Sequence, residues 1–255
     1  MHSLDAYAQD KLASLRERHL YRALNETLRE DGIWVERHNR RFLSFSCNDY
    51  LNLTQHPAIK KAAIAAIEEF GAGSGASRLV TGNHPLYARL EARLAEFKRT
   101  EAACVFGSGY LANTGIIPAL IGSDGLVLLD EFSHACIYAG AQLSRGHVKI
   151  FRHNDVGHAR ALLDAHRTQH ERALIVTDGV FSMDGDVAPL EDLLSLAGQY
   201  DAWLMSDDAH GIGVLGGGRG SSFSENSYIA VPLQMGTLSK AIGSYGGYLC
   251  ASAPV

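Results

Sequence analysis

Cysteine is scarce in this 255-residue chain, and the four present, Cys47, Cys104, Cys136 and Cys250, are widely separated with no CxxC pair. That spacing argues against a disulfide framework and reads as small buried apolar residues in a reduced compartment. A charge excess is also missing. Lys plus Arg number 23 against 28 Asp plus Glu, a formal charge of -5, with no long run of one sign and no basic stripe, so no nucleic-acid partner is expected. The N-terminal region carries Asp5, Asp10, Lys11, Arg16, Glu17 and Arg18 and lacks the apolar stretch of a secretory signal, which makes the cytoplasm the default. One uncharged run, residues 102–123, is long enough to span a bilayer. It is punctuated by Gly107, Ser108, Gly109, Asn113, Thr114, Gly115 and Pro118, the signature of a strand, loop and helix in a protein interior, so no membrane association is expected. Internal repeats and low-complexity tracts are absent, and no Gly-x-Ser-x-Gly elbow suggests a serine hydrolase.

What is present divides in two. Leu12, Leu15, His19, Arg22 and Leu24 fall near helical spacing, predicting a helical arm followed by a short extended piece at 33–35. Pro57 opens an amphipathic helix with Ile59, Ala63, Ile67 and Phe70 on one face, closed by Gly71; Pro85 opens another with Leu86, Leu90, Leu94 and Phe97. From Ala102 short apolar strands alternate with helices. Strands are expected at 102–106, 126–130, 148–151, 173–177, 202–206, 232–235 and 248–251, with a helix at 189–200. Strands apolar throughout and separated by helices imply an α/β fold with a mostly parallel sheet covered on both faces. Ligands of such sheets sit at the carboxyl ends of strands, where Gly107, Thr177 and Asp207 all fall.

Three segments carry chemistry. Gly107-Ser108-Gly109-Tyr110 follows a strand and opens a helix, a ready anion site for a phosphate. With Ala112 it also fits the GxGxxA dinucleotide fingerprint, and Asp130 ends the next strand, so an NAD-binding Rossmann unit is the remote alternative. Ser206-Asp207-Asp208-Ala209-His210 puts a carboxylate and an imidazole at the sheet's ligand edge. Neither this pair, nor Asp184-Gly185-Asp186, nor His158, His166 and His170 has the answering ligands of a metal site, and none is expected. Lys240 lies in Thr237-Leu238-Ser239-Lys240-Ala241, a tight and mostly uncharged setting able to lower an amine's pKa. A lysine able to form a Schiff base, with an aspartate able to hold a pyridine nitrogen protonated, is what an enzyme using pyridoxal 5'-phosphate (PLP) requires.

Six ordered motifs extend this reading: Cys47-Asn48-Asp49-Tyr50-Leu51, Phe106-Gly107-Ser108-Gly109-Tyr110, Phe132-Ser133-His134-Ala135, Asp178-Gly179-Val180-Phe181-Ser182-Met183-Asp184-Gly185-Asp186, Asp207-Asp208-Ala209-His210-Gly211 and Thr237-Leu238-Ser239-Lys240. Together they resemble the α-oxoamine synthases among the fold-type I PLP enzymes, from the arm to the last residue. The resemblance implies an aspartate aminotransferase-like large domain. Residues 1–55 would form the arm and a small-domain segment, and 56–255 an incomplete PLP-binding domain. Members continue into a C-terminal domain, so the chain is expected to be a truncated or partial one, with exposed apolar surface and doubtful turnover.

The resemblance also implies roles. Lys240 would be the Schiff-base lysine and the base for the α-proton, and Asp207 the partner of the ring nitrogen. His210 and Ser182 would bond around the phenolic oxygen, while His134 would stack on the ring. Ser108, Gly109, Tyr110 and Thr237 would hold the phosphate, and Arg22 and Asn48 would lie near substrate carboxylates. The reaction implied is decarboxylative condensation of an amino acid with an acyl thioester to an α-amino ketone. L-alanine with pimeloyl-CoA or pimeloyl-ACP, as in biotin synthesis, is the leading pair; glycine or serine with another acyl-CoA is the alternative. A homodimer is expected, and an inactive paralogue or partner subunit is the noncatalytic reading.

Overall fold

The computed structural model describes residues 2–30, 32–224 and 227–255. The chain forms two compact units, Met1–Cys47 and Asn48–Val255.

The first unit begins with helix α1 (Ser3–Glu17), which buries none of its residues. The spacing that predicted helix through Leu24 fails after Glu17 for a local reason. His19 adopts a left-handed φ of 55°, its N–H bonds Arg16 O at 3.0 Å, and the Leu20 N–H bonds Leu15 O at 2.8 Å. Those two bonds satisfy the last carbonyls and close a Schellman stop. Strands β1 (Leu28–Arg29), β2 (Trp34–Arg37) and β3 (Arg40–Leu43) then form a small antiparallel sheet in that order. The β2–β3 turn puts His38 and Asn39 at φ 51° and 57°, the paired left-handed conformation that matches strand twist in a two-residue hairpin.

In the second unit α2 (Pro57–Phe70) and α3 (Pro85–Lys98) start alike. Proline occupies the first turn, where no N–H is needed, and the preceding His56 or His84 accepts a bond from the backbone N–H two residues on. The strands follow as β4 (Ala102–Phe106), β5 (Leu126–Asp130), β6 (His147–Phe151), β7 (Ala173–Asp178), β8 (Trp203–Asp207), β9 (Leu233–Thr237) and β10 (Gly247–Ala251). Interleaved are α4 (Gly109–Leu120), α5 (Ala135–Ser144), α6 (Val156–His166) and α7 (Leu190–Gln199). These bounds lie within a residue or two of the spans predicted from apolar runs.

The seven strands form one sheet in the order β4-β10-β9-β8-β7-β5-β6, in which β10 runs against both its neighbours and the other pairs are parallel. Both faces are buried, which is why the strands read as continuous apolar runs. Val127, Leu129, Leu174, Val176 and Met205 pack with α4 and α5 on one side; Leu126, Leu128, Ala173, Ile175 and Leu204 pack with α6 and α7 on the other. A third cluster joins Leu94 of α3 to Tyr248 and Cys250 of β10.

This topology removes the dinucleotide alternative. A Rossmann unit needs β4 and β5 as parallel neighbours joined by α4. Here β4 pairs with antiparallel β10, and four strands separate it from β5 and Asp130. The cysteines also differ from expectation in part. Cys136 and Cys250 are buried, whereas Cys104 is exposed on the edge strand β4 and Cys47 is half-buried. Among the described residues, no helix is long and apolar enough to cross a membrane.

Candidate active site

Parallel strands deliver their carboxyl ends to one edge of the sheet, and neighbouring strands end on polar side chains: Asp130 on β5, Asp178 on β7, Asp207 on β8 and Thr237 on β9. At this edge lies a cavity of about 210 Å³. Of the expected residues it gathers Gly109, Tyr110, His134, Asp207, His210, Thr237 and Lys240, and it adds Cys136, Asp178, Ala209, Met235 and Ser239. A hollow of about 650 Å³ lined by residues such as Arg99, Trp203 and Pro232 is roomier, but no amine, imidazole and carboxylate meet there. Chemistry rather than size selects the smaller cavity.

Ser108 caps α4, its hydroxyl accepting the Leu111 N–H at 3.1 Å, while its carbonyl accepts from Ala112 at 3.0 Å. The N–H groups of Gly109 and Tyr110 precede these first helical bonds and are the donors a bound anion would use. A Cβ on Gly109 would stand 3.3 Å from Met235 Cε and 3.5 Å from Thr237 Cβ, so glycine keeps the floor of this corner open.

Lys240 and His210 meet at 2.7 Å, Nζ to Nε2, and His210 Nδ1 lies 2.7 Å from the Tyr50 hydroxyl, which in turn bonds Asn48 Oδ1 at 3.3 Å. With the amine donating to Nε2, Nδ1 carries the imidazole proton and donates to Tyr50. Asn48, placed near substrate in the sequence reading, thus connects to the cavity through Tyr50. Burial, with the Lys240 charge beside it, pushes His210 down to about 4. Burial also lowers the Lys240 amine, against the attraction of Asp207 and Asp178.

Asp207 is buried and held at both oxygens: Asn113 Nδ2 donates to Oδ2 at 2.7 Å and the Ala209 N–H to Oδ1 at 3.0 Å. Asp178 sits opposite it in register on β7 and accepts the His134 N–H at 3.0 Å. Burial, and then the Asp207 charge, pushes Asp178 up to about 8. Two carboxylates this close do not both ionise readily, and Asp178 is the one that keeps a proton.

These shifts give a measurable pH dependence. Folded Asp178 binds a proton between its ordinary 3.8 and about 8 while the unfolded carboxylate does not, so its contribution to stability is lost as pH rises through that window. His210 has the opposite sign, its neutral folded form costing stability as pH falls from 6.5 to about 4. Above 6.5 the His210 contribution is spent, and His153, lowered by burial but raised on balance by its bonds to Asp130 and Asp186, adds to Asp178 in the same direction. The melting temperature is therefore expected to fall between pH 6.5 and 8, and Asp178→Asn to flatten that fall; equal slopes in thermal melts of the two proteins would refute the assignment.

Four expected residues are not among those lining the cavity: Ser108, which caps α4 beside it, Asn48, which connects to it through Tyr50, and Ser182 and Arg22. Ser182 is exposed in the turn after Phe181, and Arg22 belongs to the other compact unit, exposed in the irregular stretch after α1. Among the described residues, no three His, Cys, Asp or Glu gather as metal ligands.

Residues 40–255 match the family described as aminotransferase class I and II. The chain belongs to that family. It is 62% identical over its whole length to an 8-amino-7-oxononanoate synthase of Beijerinckia indica and spans 66% of that protein's length. It is 68% identical over 221 residues, 87% of the chain, to an 8-amino-7-oxononanoate synthase of Methylocella silvestris, 63% of which is covered. Among solved structures, a variant serine palmitoyltransferase from S. paucimobilis with a bound PLP–myriocin aldimine superposes at a TM-score of 0.88 and 29% identity, over all of this chain and 65% of that one.

Within this family member, sequence reasoning assigned no role to Asn113, Cys136, Asp178 or Tyr50. Tyr50 and Asp178 stood inside quoted motifs. Asn113 lies four residues after Gly109, one helical turn on, and that spacing was the available signal that it shares a face with the anion corner.

Proposed function

We propose that the chain carries the PLP site of an acyltransferase that joins an amino acid to an acyl thioester, releasing carbon dioxide and the thiol and leaving an α-amino ketone. The observation that carries this reading is the meeting of Lys240 and His210 at 2.7 Å in a cavity that also holds buried Asp207 and the start of α4. An amine, a carboxylate and an anion corner are the three groups that PLP's aldehyde, ring nitrogen and phosphate call for. When bound, PLP supplies an electron sink for charge at the substrate's α-carbon.

The side chains divide the remaining work. Lys240, its amine favoured in the neutral form by burial, would hold the aldehyde and would serve as the base that takes the substrate's α-proton. Asp207 holds negative charge for the ring nitrogen, kept in place by Asn113 and Ala209. His210 orients Lys240 and, with Ser182, serves the phenolic oxygen; the Ser182 role rests on resemblance alone. His134 offers a ring face, and Ser108, Gly109, Tyr110 and Thr237 hold the phosphate. Arg22 and Asn48 are assigned to substrate carboxylates.

Likeness to relatives named 8-amino-7-oxononanoate synthase favours L-alanine with pimeloyl-CoA or pimeloyl-ACP, within biotin synthesis, and the cytoplasm is proposed as its place from the cysteine usage and N-terminal composition. The serine palmitoyltransferase likeness favours a second reading, serine or glycine with a different acyl-CoA. A homodimer is supported by exposed apolar side chains on and after α2, with Ile64 at 57%, Ile67 at 56%, Leu79 at 100% and Val80 at 75% exposure.

The test is a visible absorption spectrum of the chain with PLP, borohydride reduction and peptide mass analysis. A reduced adduct on Lys240 is expected, followed by turnover in a screen of alanine, serine and glycine against acyl thioesters. Folded chain that yields no adduct defeats the PLP reading; an adduct without turnover favours the noncatalytic subunit.

A further inference from the structure

His134 and Asp207 stand on different elements, at the start of α5 and the end of β8, and a continuous line of side chains joins them. Asn113 Nδ2 donates to Asp207 Oδ2 at 2.7 Å and lies 3.1 Å from Cys136 Sγ, and Cys136 Sγ lies 2.8 Å from His134 Nδ1. Asn113 is fully buried and Cys136 nearly so, at 4% exposure. The position of Asn113 is set by a close helix crossing. A Cβ at Gly140 of α5 would fall 2.5 Å from Asn113 O on α4, a contact only glycine permits.

The direction of the line follows from what each group can give. An amide nitrogen only donates, so Cys136 Sγ accepts from Asn113 and its own S–H is left to donate onward. His134 Nδ1 also receives the Cys136 backbone N–H at 3.2 Å, as the cap of α5, which independently makes that nitrogen an acceptor. Burial, and next the Asp207 charge, pushes the Cys136 thiol up to about 11, so the S–H donor persists at neutral pH. Capping alone would already hold His134 Nδ1 as an acceptor. It does not require the sulfur to face the amide that holds Asp207.

We propose that Cys136 and Asn113 are positioning residues, a directional relay from Asn113 N–H through Cys136 S–H to His134 Nδ1 that locks His134 with its proton on Nε2 and fixes it relative to Asp207. The consequence for cofactor binding rests on the PLP reading above; the tautomer does not. One group faces the cavity from each end of the relay, so it fixes His134, assigned to a ring face, relative to Asp207, assigned to the ring nitrogen.

The first experiment needs no cofactor. In the chain labelled with ¹⁵N-histidine, two-bond proton–nitrogen correlations report each imidazole's tautomer, and His134→Gln identifies the signal. The Nε2–H form is expected in the wild type and in Cys136→Ser, whose hydroxyl both accepts and donates. A His134 ring protonated on Nδ1 overturns the relay, whether or not PLP binds.

The second experiment follows PLP uptake and the visible circular dichroism of the bound form. Cys136→Ser is expected to match the wild type. Cys136→Ala, which leaves Asn113 and His134 without their shared partner, is expected to bind PLP about three- to tenfold more weakly with an altered dichroic band and an unchanged far-ultraviolet spectrum, the scale of one lost hydrogen bond. Equal behaviour of Cys136→Ala and wild type, or equal impairment of the Ser and Ala variants, overturns the positioning role. Wild-type chain that shows the Nε2–H signal yet takes up no PLP would defeat the proposed function and this second role, and leave the relay itself standing.

Discussion

Lys240→Ala is expected to abolish the borohydride-fixed PLP adduct and to lower any turnover by at least about 10³-fold, within the range that loss of a positioned base produces and with loss of covalent attachment added. The size of the effect follows from how few groups can substitute. Lys98, the other lysine near the 207–210 turn, spends its amine on Asp208 and the Arg219 carbonyl, at 3.1 and 2.6 Å. His210 could accept a proton, but burial, the larger cause of its lowered pKa, persists without Lys240 and keeps it a weak base. Nor is the loss a folding effect. Lys240 is half-buried, and its side-chain amine supports His210 rather than a helix or strand. An exogenous small amine should restore part of the activity by replacing the missing group. A variant that still forms the adduct at another lysine, or turns over at the wild-type rate, would refute the assignment. Mass analysis and a turnover assay distinguish these outcomes.

Lys98→Met should destabilise the chain by about 3–5 kcal/mol, the usual cost of removing one partner of a buried ion pair, lowering the melting temperature on the order of 10 °C. Lys98 and Asp208 have side chains at 0% exposure, 3.1 Å apart. Both Asp208 oxygens also accept the Ser221 N–H at 3.1 Å, so the pair ties the end of α3 and the 207–210 turn to the glycine loop before Ser221. Little room exists for relaxation, since Gly220, at φ +106°, lies so close to the carboxylate that a Cβ there would collide with it. Methionine keeps the length of the lysine and removes its charge, leaving a buried carboxylate without its cation. Asp208→Asn added to Lys98→Met removes the stranded charge, retains an acceptor for Ser221, and should recover a large part of the loss. Thermal melts of the two single variants and the double variant check this. Additive losses would show that the two groups do not act as a pair.

Much of the second unit was legible in the sequence because its physics is local and repetitive. Strands buried on both faces appear as apolar runs such as Leu126 to Leu129, and prolines at the first turn mark the starts of α2 and α3. The cavity's main residues were legible because strand ends converge in any parallel sheet, which puts Asp207 and Thr237 at one edge with the turn after β4. What escaped depends on partners distant in sequence. Asn113 gains its meaning from Asp207, 94 residues on, and Tyr50 from His210, 160 residues on. Helical periodicity also could not foresee that His19 would turn left-handed and end α1 seven residues before Leu24. The resemblance to dinucleotide-binding sequences misled because a Gly-rich turn records only its local shape. Whether its strand has a parallel neighbour is decided by β10, which is formed almost at the end of the chain.

That reversed strand sets how far Lys240 can wander. β9 and β10 are adjacent and antiparallel, paired from Thr237 with Gly247 onward, so the segment bearing Lys240 is a short link anchored at both ends by the sheet. Within it the Leu238 N–H bonds Gly246 O, the Ser244 N–H bonds Leu238 O, and the Gly243 N–H bonds Lys240 O, all at 2.9 Å. A crossover helix in its place would have allowed the backbone to drift with helix packing. Here side-chain rotation is the main freedom left, and an amine released from a bound partner stays within a side chain's length of where it began. Its effective concentration at the cavity is then high and nearly constant, so recapture of a bound partner competes as an intramolecular event against any free amine in solution.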